Sequence, residues 1–400
     1  MKIYRVGGSV RDELLGRPDA DRDFVVVGAT PEEMRARGFR AVGRDFPVFL
    51  HPDTGEEYAL ARTERKRGRG HRGFSFHAAP EVTLEEDLAR RDLTINAMAR
   101  ADGGALIDPF GGEADLRAGV LRHIGASFVE DPLRVLRVAR FAARFGFAVA
   151  PETEALLRAI AEGGELATLA PERIWQEVAR ALMELQPSRF FSVLHRSGAL
   201  AQLMPEVEAI FTVSPGGPRR AVHGGATRQM RAVNLAAAAG EALPVRYAVL
   251  ACDLASPSRA AQSSAASLSR RLKAPAECRD LAELVARHRG SVARTAELTG
   301  PSLLDLLVSV DALRREARFE QFLSACALDW ASGSGRAAAD YPAAQRLREA
   351  RAIVAGVNAG AIARSGRDRG DLIHRIRTAR LKALRDWRVS ARSRKRAPRP

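Results

Sequence analysis

The sequence predicts an α+β protein, with a small mixed β-sheet near the N-terminus and an all-helical remainder. Three observations support this fold class. Up to about residue 128, short β-branched and aromatic runs alternate with helical segments. After about Glu130 no convincing strand follows. Proline recurs in the first turn of the later helical segments, where its missing N–H costs no hydrogen bond.

Local signals predict the N-terminal elements in order. Apolar runs predict strands at residues 2–6, 23–27, 46–50 and 57–61 and an edge strand at 106–107. Helices are predicted at 9–15 and, with Thr30 as N-cap and Pro31 at the first position, at 31–37. The capping box Thr83-Leu84-Glu85-Glu86 predicts a helix running to about Ala99. Residues 62–73 are basic and glycine-rich, which predicts a loop.

The rest of the chain reads as helices joined by polar connections. Helices are predicted at 132–145, 151–161, 171–185 and 187–197. A linker is expected at 215–218, a loosely packed connection at 257–269 and a basic disordered tail at the end. The predicted domains are a head at 1–128, a helical neck at 129–211, a helical body at 212–388 and the tail at 389–400.

Composition narrows the class of protein. A length of 400 residues predicts two or more domains. There is no apolar run long enough to cross a membrane and no signal-peptide pattern at the start, and the three cysteines are widely spaced, so we expect a cytoplasmic protein. The net charge of +15 favours a polyanionic partner. The alternative explanation of this charge is a general compositional bias of the protein towards Arg and Ala.

Two short motifs near the N-terminus carry candidate chemistry. Gly7-Gly8 ends the first strand and a helix follows at once, which suits either phosphate binding or a plain tight turn. Asp21 and Asp23 enter the second strand two residues apart, so their side chains share a face. They could hold a hard cation such as Mg²⁺ or simply face water. Together the two motifs match the needs of two-metal nucleotidyl transfer.

The opening KIYRVGGSVRDELLG…DRDFVVVG resembles the first motif of the class II tRNA nucleotidyltransferase and poly(A) polymerase family, within the DNA polymerase β superfamily. Five further segments resemble later motifs of that family in the same order. They cover parts of residues 56–179 and read EEYALARTERK, RRDLTINA, DPFGG, EDPLRVLRVAR and PERIWQEVA. The resemblance implies a polymerase-β-like nucleotidyltransferase head.

The resemblance also implies roles for individual residues. Asp21 and Asp23 would be catalytic and hold Mg²⁺, and Glu57 is either a third acidic residue near the metals or a plain strand residue. The other residues placed around the nucleotide are Gly8 and Arg11 at the triphosphate, Arg91 at phosphate, Asp92 at the ribose, Asn96 as a brace, Asp131 and Arg134 at the Watson–Crick edge of the base, and Arg137 and Arg140 elsewhere on the nucleotide.

Spacing gives the base-reading residues some independent support. Steps of three residues would place Asp131, Arg134, Arg137 and Arg140 along one side of a helix. A carboxylate and a guanidinium can form paired hydrogen bonds with either C or A. Without the resemblance, a solvated helix face is an equally good interpretation of the same arginines.

Within the family, the sequence resembles the bacterial CCA-adding branch. The loop at 62–73, which carries Arg62, Glu64 and Arg65, is the segment that the switch to ATP is expected to need, so its presence favours complete CCA addition over addition of CC alone. Residues 212–388 resemble the C-terminal half of the long proteobacterial form, which carries an HD-type phosphohydrolase domain.

The metal site of that HD domain looks degenerate. His223 stands near the first histidine position, but the His-Asp pair reads Cys252-Asp253, and Gln262-Ser263-Ser264 occupies the region of the later histidines. We therefore expect an HD-like helical shape without phosphohydrolase activity. Release of phosphate from a 2′,3′-cyclic substrate, with Mn²⁺, Ni²⁺ or Mg²⁺ added, would show the opposite.

The expected activity is therefore addition and repair of the 3′-terminal CCA of tRNA, with CTP and ATP as substrates and pyrophosphate released. A poly(A) polymerase of the same class and an enzyme that adds only CC are alternatives. A catalytically inactive RNA-binding protein is disfavoured by the intact acidic and basic motifs, and a small-molecule nucleotidyltransferase by the long basic helical remainder. No membrane partner is expected, and the sequence leaves monomer and homodimer both open.

Overall fold

A computed structural model describes residues 1–17, 22–42, 48–66, 74–212, 228–252, 254, 261–364 and 371–396. The chain divides into two compact units, Met1–Glu208 and Ala209–Pro400. The first unit contains a mixed sheet and helices, and the described part of the second is helical. The predicted α+β fold class is confirmed.

A seven-stranded sheet forms the centre of the N-terminal part of the first unit. In spatial order, its strands are β3 (Arg40–Val42), β4 (Val48–Leu50), β5 (Glu57–Leu60), β2 (Asp23–Val27), β1 (Lys2–Val6), β8 (Ala99–Ala101) and β9 (Leu106–Ile107). Only β2 and β5 pair in parallel, and the other neighbours are antiparallel, so the sheet is mixed as predicted. Two further strands, β6 (Arg62–Lys66) and β7 (Phe74–Ala78), form a separate pair.

Both faces of the central strands are buried. Successive side chains of β2 point to opposite faces of the sheet, because strands have a two-residue period. Val25 joins one hydrophobic cluster, with Val6 and Leu88, and Val26 joins another, with Met34. The polar Asp23 at the start of β2 is exposed, in register with Glu57 on the parallel strand β5.

Short helices cover the sheet, and two begin at capping boxes. They are α1 (Gly8–Leu14), α2 (Pro31–Ala36), α3 (Leu84–Ala89) and α4 (Gly112–Ala118). Thr30 and Thr83 each accept a hydrogen bond from the backbone N–H three residues later, and the glutamates there return one. The caps predicted from the sequence are confirmed, because this local pattern satisfies two helix-terminal donors without tertiary help.

The helix predicted from Thr83 to about Ala99 is wrong beyond α3. It ends at Ala89, Leu93 is extended, and a 3-10 turn at Thr94–Asn96 leads into β8. Leu93, Ile95, Ala97 and Met98 are all fully buried. The segment therefore lacks the one-sided apolar stripe of a surface helix. Its conformation depends on packing against the rest of the protein and not on the local sequence pattern.

The predicted loop at 62–73 is partly strand. The antiparallel strands β6 (Arg62–Lys66) and β7 (Phe74–Ala78) form a two-stranded sheet. The backbone N–H of Arg62 donates to buried Asp87. The charged residues of β6 do not give the apolar pattern typical of a strand, and β6 is stabilised by its pairing with β7. Residues 67–73 of the predicted loop, and the predicted linker at 215–218, lie outside the described residues.

The DPFGG motif forms a turn that locks α4 against the buried 3-10 segment. The carboxylate of Asp108 accepts from the N–H groups of Gly112 (2.7 Å) and Glu113 (2.8 Å) and so caps the helix. A Cβ atom on Gly112 would overlap the carbonyl group of Thr94, 2.9 Å from its carbon. Gly111 has φ +71° and open space around it. The two glycines therefore serve different purposes, close approach at Gly112 and a left-handed turn at Gly111.

Substitution of these glycines should separate the two effects. Gly112→Ala should lower the free energy of unfolding by about 3 kcal/mol, because the new methyl group displaces backbone in a packed core. Gly111→Ala, the matched control, should cost only about 1 kcal/mol, the penalty of a left-handed conformation. Denaturant unfolding of both variants measures the difference. Equal losses would contradict the close approach at Gly112.

The remainder of the first unit is mainly helical. Two short strands, β10 (Val120–Leu121) and β11 (Ala148–Val149), pair in parallel, so the prediction of no strand after Glu130 misses β11. A two-residue strand is too short to leave a pattern in the sequence. The helices are α5 (Leu133–Phe145), α6 (Pro151–Glu162), α7 (Pro171–Met183), α8 (Pro187–Arg196), α9 (Ala199–Leu203) and α10 (Pro205–Thr212), the last of which continues past Glu208, where this unit ends.

The described part of the second unit consists of helices. They are α11 (Arg228–Ala238), α12 (Leu243–Ala251), α13 (Ala261–Arg271), α14 (Ala276–Ala293), α15 (Gly300–Ser309), α16 (Glu316–Ser334), α17 (Pro342–Ala355), α18 (Ala359–Arg364) and α19 (Leu372–Arg396). Among the described residues, no helix is both long and apolar enough to cross a membrane.

Two expectations for this unit are wrong. Helix α13 replaces much of the loose connection predicted at 257–269, and its Leu268 is fully buried, because small Ser and Ala side chains allow close helix packing. The tail predicted as disordered from residue 389 is helical through Arg396. Its Arg, Ala and Lys residues favour helix, and the first helix breaker, Pro398, lies beyond that helix. Residues 397–400 lie outside the described residues.

Candidate active site

A basic cavity of about 490 Å³ opens in the first unit. Eight arginines and three aspartates contribute to its wall, an excess of positive charge that suits a polyanionic ligand. All of the sequence-predicted nucleotide-binding residues lie on it. The lining residues are Gly7, Gly8, Arg11, Asp23, Arg90, Arg91, Asp92, Asn96, Asp131, Leu133, Arg134, Arg137, Arg140, Phe141, Arg144 and Arg173.

The Gly7-Gly8 turn forms one side of the cavity. Gly7 has φ +71°, and its N–H donates to the carbonyl oxygen of Met98 at 3.0 Å. A Cβ atom on Gly7 would lie 2.6 Å from Nη1 of Arg91. Glycine therefore allows the left-handed turn and leaves room for the Arg91 guanidinium beside it.

Asn96 connects three of the predicted residues. Its Nδ2 donates to Asp92 Oδ1 at 2.8 Å, and its Oδ1 accepts from Nη1 of Arg11. Its backbone carbonyl accepts from Arg91 Nη1 at 3.3 Å. The side chain is buried, so these hydrogen bonds fix the relative positions of Arg11, Arg91 and Asp92 on the cavity wall.

Arg11 is held in place by packing as well as by hydrogen bonds. Burial lowers the pKa of its guanidinium, while Asp12, whose Oδ1 accepts from Arg11 Nε at 2.9 Å, opposes the shift. The guanidinium carbon lies 4.9 Å from the ring centre of Phe145. An arginine stays protonated in such a setting, so Arg11 supplies a fixed positive charge to the cavity.

Asp92 forms an ion pair with Arg137 across the cavity. Oδ2 of Asp92 accepts from Arg137 Nε at 2.7 Å, and Oδ1 accepts from the N–H of Leu93 at 2.9 Å. Burial alone would raise the pKa of Asp92, but the charge of Arg137 and the hydrogen bonds from Asn96 and Arg137 lower it to about 2. Asp92 is therefore a permanent hydrogen-bond acceptor at neutral pH.

This lowered pKa predicts a specific acid sensitivity. Because the folded pKa of Asp92 lies below the ordinary value of 3.8, its stabilising effect is complete above about pH 5 and is lost as the pH falls towards 2. Between pH 5 and pH 3, wild type should lose about 1 kcal/mol more free energy of unfolding than Asp92→Asn. Urea unfolding of both proteins at the two pH values provides the measurement, and parallel losses would refute the assignment.

Helix α5 carries four arginines that line the cavity. Arg134 donates to the carbonyl oxygens of Ser127 (3.1 Å) and Arg90, which holds its guanidinium at the start of the helix. The guanidinium carbon of Arg140 lies 4.6 Å from the ring centre of Phe141. Arg144 Nη2 donates to Asp12 Oδ2 at 2.9 Å.

Asp131 differs from the expectation that it continues the helical face. It is extended and precedes α5, separated from it by Pro132, and its Oδ1 accepts from the N–H of Leu133 at 3.0 Å. Proline restricts the residue before it to extended conformations, which accounts for the break. The carboxylate still lies on the cavity wall with Arg134.

The PERIWQEVA motif on α7 contacts two residues of the cavity wall, Arg140 and Asp131. Glu177 Oε2 accepts from Arg140 Nε at 2.6 Å, and both side chains are buried. Arg173 Nη2 lies 3.4 Å from Oδ2 of Asp131. This motif thus positions one cationic and one anionic side chain that the sequence assigned to the nucleotide.

The acidic residues assigned to a metal are only partly described. Asp23 lines the cavity, and Glu57 is its neighbour on the adjacent parallel strand. Asp21 lies outside the described residues. Within the ranges that the structure describes, no group of three or more His, Cys, Asp or Glu side chains could hold a metal ion. The exposed carboxylates of Asp23 and Glu57 are the hard oxygen donors that divalent cations such as Mg²⁺ take.

Sequence reasoning missed several residues of the cavity wall. Phe141 and Arg144 lie one turn beyond Arg137 and Arg140 on α5, so helical spacing was a usable signal. Arg173 lies within a recognised motif. Arg90 is the first residue of the RRDLTINA segment, so membership of that motif was a signal for it too.

The HD-type residues of the second unit are described only in part. Cys252 is fully buried, and its thiol donates to the carbonyl oxygen of Val249 at 3.4 Å. His223 and Asp253 lie outside the described residues, as do the side chains of Gln262 and Ser263. The expected loss of phosphohydrolase activity stays a prediction.

Comparison with known proteins agrees with the geometry. The family model described as "Poly A polymerase head domain" matches residues 3–122. A second model, "Probable RNA and SrmB- binding site of polymerase A", matches residues 146–211. The first match contains the Gly7-Gly8 turn, Asp23 and the RRDLTINA segment.

Similar proteins match nearly the whole chain. The "Multifunctional CCA protein" of Nitrosomonas europaea is 53% identical over 98% of this chain and 99% of its own length. That of Laribacter hongkongensis is 51% identical over 96% and 98%. The crystal structure of the Bacillus stearothermophilus CCA-adding enzyme in complex with CTP matches with a TM-score of 0.64 and 26% identity, over 96% of this chain and 88% of that chain.

Proposed function

The chain belongs to the family of multifunctional CCA proteins, and we propose that it builds and repairs the 3′-terminal CCA of tRNA from CTP and ATP without a nucleic-acid template. One observation supports this most directly. A single basic cavity brings the Gly7-Gly8 turn, the RRDLTINA segment and the arginine face of α5 together beside Asp23. The proposal implies a cytoplasmic enzyme, with tRNA as the nucleic-acid partner.

We assign the triphosphate to the end of the cavity formed by the glycine turn. Gly8, Arg11 and Arg91 lie there, and Asn96 holds the two arginines in position. Arginine guanidinium groups bind phosphate oxygens through paired, charge-assisted hydrogen bonds. Asp92 accepts hydrogen bonds from the ribose hydroxyls, since its pKa of about 2 keeps it ionised.

The base lies against the start of α5 in this proposal. Asp131 accepts, and Arg134 donates, hydrogen bonds at the Watson–Crick edge of C or A. The carbonyl groups of Ser127 and Arg90 hold Arg134, and Arg173 lies beside Asp131. Arg137 and Arg140 complete the positive wall that faces the nucleotide. A protein wall, not a template strand, thus selects the base.

Enzymes of this nucleotidyltransferase family use a divalent metal ion. We propose Mg²⁺, held by Asp23 with Asp21, and with Glu57 as a further carboxylate nearby. Bound there, it would neutralise charge on the α-phosphate and favour ionisation of the attacking hydroxyl. The protein supplies the carboxylates, the fixed arginine charges and the shape of the cavity, so its contribution is positioning and electrostatic stabilisation.

In each cycle the 3′-hydroxyl oxygen of tRNA forms a bond to the α-phosphorus of CTP or ATP. The bond between that phosphorus and the oxygen that bridges the α- and β-phosphates breaks. Pyrophosphate leaves, and the hydroxyl proton passes to solvent. Two additions of CMP and one of AMP complete the end. The arginine-lined wall stabilises the negative charge that develops on the departing pyrophosphate.

A product assay tests the proposed function. Purified protein is given a tRNA transcript lacking CCA, Mg²⁺, and CTP or ATP singly or together, and products are resolved at one-nucleotide resolution. We expect two added nucleotides with CTP and three with both. Arrest at CC with both nucleotides would indicate the CC-only activity, and long A-tracts made without CTP would indicate a poly(A) polymerase.

A further inference from the structure

The second unit contains a cavity of about 600 Å³ that the nucleotidyl-transfer reaction does not use. It lies among α14, α16, α17 and α19, in residues 293–387. Two tryptophans and a tyrosine line it, with two arginines. The residues that matter here are Trp330, Arg336, Tyr341, Arg346 and Trp387.

The aromatic rings of this cavity form two preorganised groups. Trp330 and Tyr341 stack with ring centres 5.1 Å apart and an interplanar angle of 27°. The guanidinium carbon of Arg346 lies 5.3 Å from the ring centre of Trp387. Tyr341 is buried, whereas Trp330 and Trp387 are partly exposed. Flat aromatic faces and guanidinium groups at an accessible cavity are the features that bind unstacked nucleobases.

The helix that supplies Trp387 is strongly basic. Helix α19 contains ten Lys or Arg residues and one Asp. Among the side chains that the structure describes, Arg377 pairs with Asp305 (2.7 Å) and Lys382 pairs with Asp386 (3.2 Å). The net positive charge of α19 therefore lies in the same helix as Trp387, an aromatic wall of the cavity. Such an arrangement binds an RNA backbone by phosphate contacts while a base enters the pocket.

We propose that this cavity, the aromatic pocket, is a second RNA-binding site that takes one unstacked nucleobase of tRNA, with the adjoining phosphates along α19. The volume is large enough for a nucleotide, since pockets for small ligands range over roughly 300–1,000 Å³. The inference rests on tRNA being the substrate of the proposed function. The aromatic pocket would affect tRNA binding, and none of its residues lines the nucleotide-binding cavity.

Fluorescence tests the pocket directly, because two of the three tryptophans line it. In a Trp175→Phe background, all tryptophan emission comes from Trp330 and Trp387. A tRNA transcript lacking CCA should quench this emission if a base stacks there. AMP and CMP serve as the free-nucleotide probes, and they should quench only weakly without the phosphate contacts of a longer chain.

Substitutions give the second measurement. Trp387→Ala should raise the Kd for tRNA by about 5- to 100-fold, the range for loss of one stacked base, and Trp387→Phe should retain most binding. Arg336→Glu, a change at an exposed position, covers the case in which Trp387→Ala does not fold, and it should also weaken binding. Arg314→Glu is the matched control outside the cavity, on a side chain that is 84% exposed.

The kinetic signature separates this site from the catalytic cavity. Trp387→Ala and Arg336→Glu should raise the KM for tRNA and leave kcat and the KM for CTP unchanged. Wild-type tRNA affinity in both variants, with CCA addition intact, would overturn the pocket and leave the proposed function standing. Quenching by AMP or CMP alone, with unchanged tRNA binding, would also overturn it. Absence of CCA addition by wild-type protein would instead refute the proposed function.

Discussion

Asp23→Asn should lower the rate of nucleotide addition by at least about 10³-fold, the largest effect that we expect from one substitution. Asp23 is exposed at the start of β2, lines the cavity and neighbours Glu57 on the parallel strand β5. Loss of its negative charge removes a carboxylate proposed to hold the divalent ion, whose effect on the transition state amounts to several kcal/mol. Single-turnover addition of CMP to a tRNA lacking CCA measures the loss.

The substitution should leave the fold intact, because Asp23 is exposed. Asp53→Asn, at another exposed position in the same unit but not on the cavity wall, provides the control and should keep full activity. Equilibrium binding of tRNA to Asp23→Asn should match wild type. Retention of more than a tenth of the wild-type rate would exclude Asp23 as a catalytic carboxylate.

Glu177→Ala should lower the free energy of unfolding by about 3–5 kcal/mol, the second largest effect. Oε2 of Glu177 lies 2.6 Å from Nε of Arg140. Only 5% of the Glu177 side chain and 8% of the Arg140 side chain are exposed. Removal of one member of a buried ion pair leaves an uncompensated charge, which costs more than the pair contributes when intact. Thermal and denaturant unfolding measure the loss.

A double substitution distinguishes the structural part of this pair from the functional part. Arg140→Met with Glu177→Leu removes both charges and fills a similar volume, so it should recover most of the stability lost in Glu177→Ala. Its rate of nucleotide addition should stay low, because Arg140 lines the cavity and Met carries no charge. Recovery of both stability and rate would mean that Arg140 has no part in the chemistry.

The parts of the fold that could be predicted from the sequence depend on local patterns. The N-cap at Thr30, the capping box at Thr83 and the apolar run of β2 need no knowledge of distant residues, and the structure has each of them. The family resemblance implied a nucleotide-binding role for nine residues, and all nine line the cavity.

The parts that could not be predicted depend on tertiary contacts. Residues 90–99 leave the helical pattern because Leu93, Ile95 and Met98 are enclosed on all sides. The strand at 62–66 forms because β7 pairs with it, although its sequence is basic and polar. The Asn96 network and the Arg140–Glu177 pair join residues that are far apart in sequence or carry no distinguishing local pattern. Charge and polarity alone do not specify such partners.

One cavity is proposed to accept both nucleotides. Comparison of CTP and ATP addition in Asp131→Ala and in Glu130→Ala tests this, because Glu130 is a neighbouring acid that does not line the cavity. Asp131→Ala should therefore lower kcat/KM about 10- to 100-fold for CMP addition to tRNA lacking CCA and for AMP addition to tRNA ending in CC, the cost of losing a charged hydrogen-bond partner. A loss confined to one nucleotide, or the same loss in Glu130→Ala, would contradict a shared cavity read by Asp131.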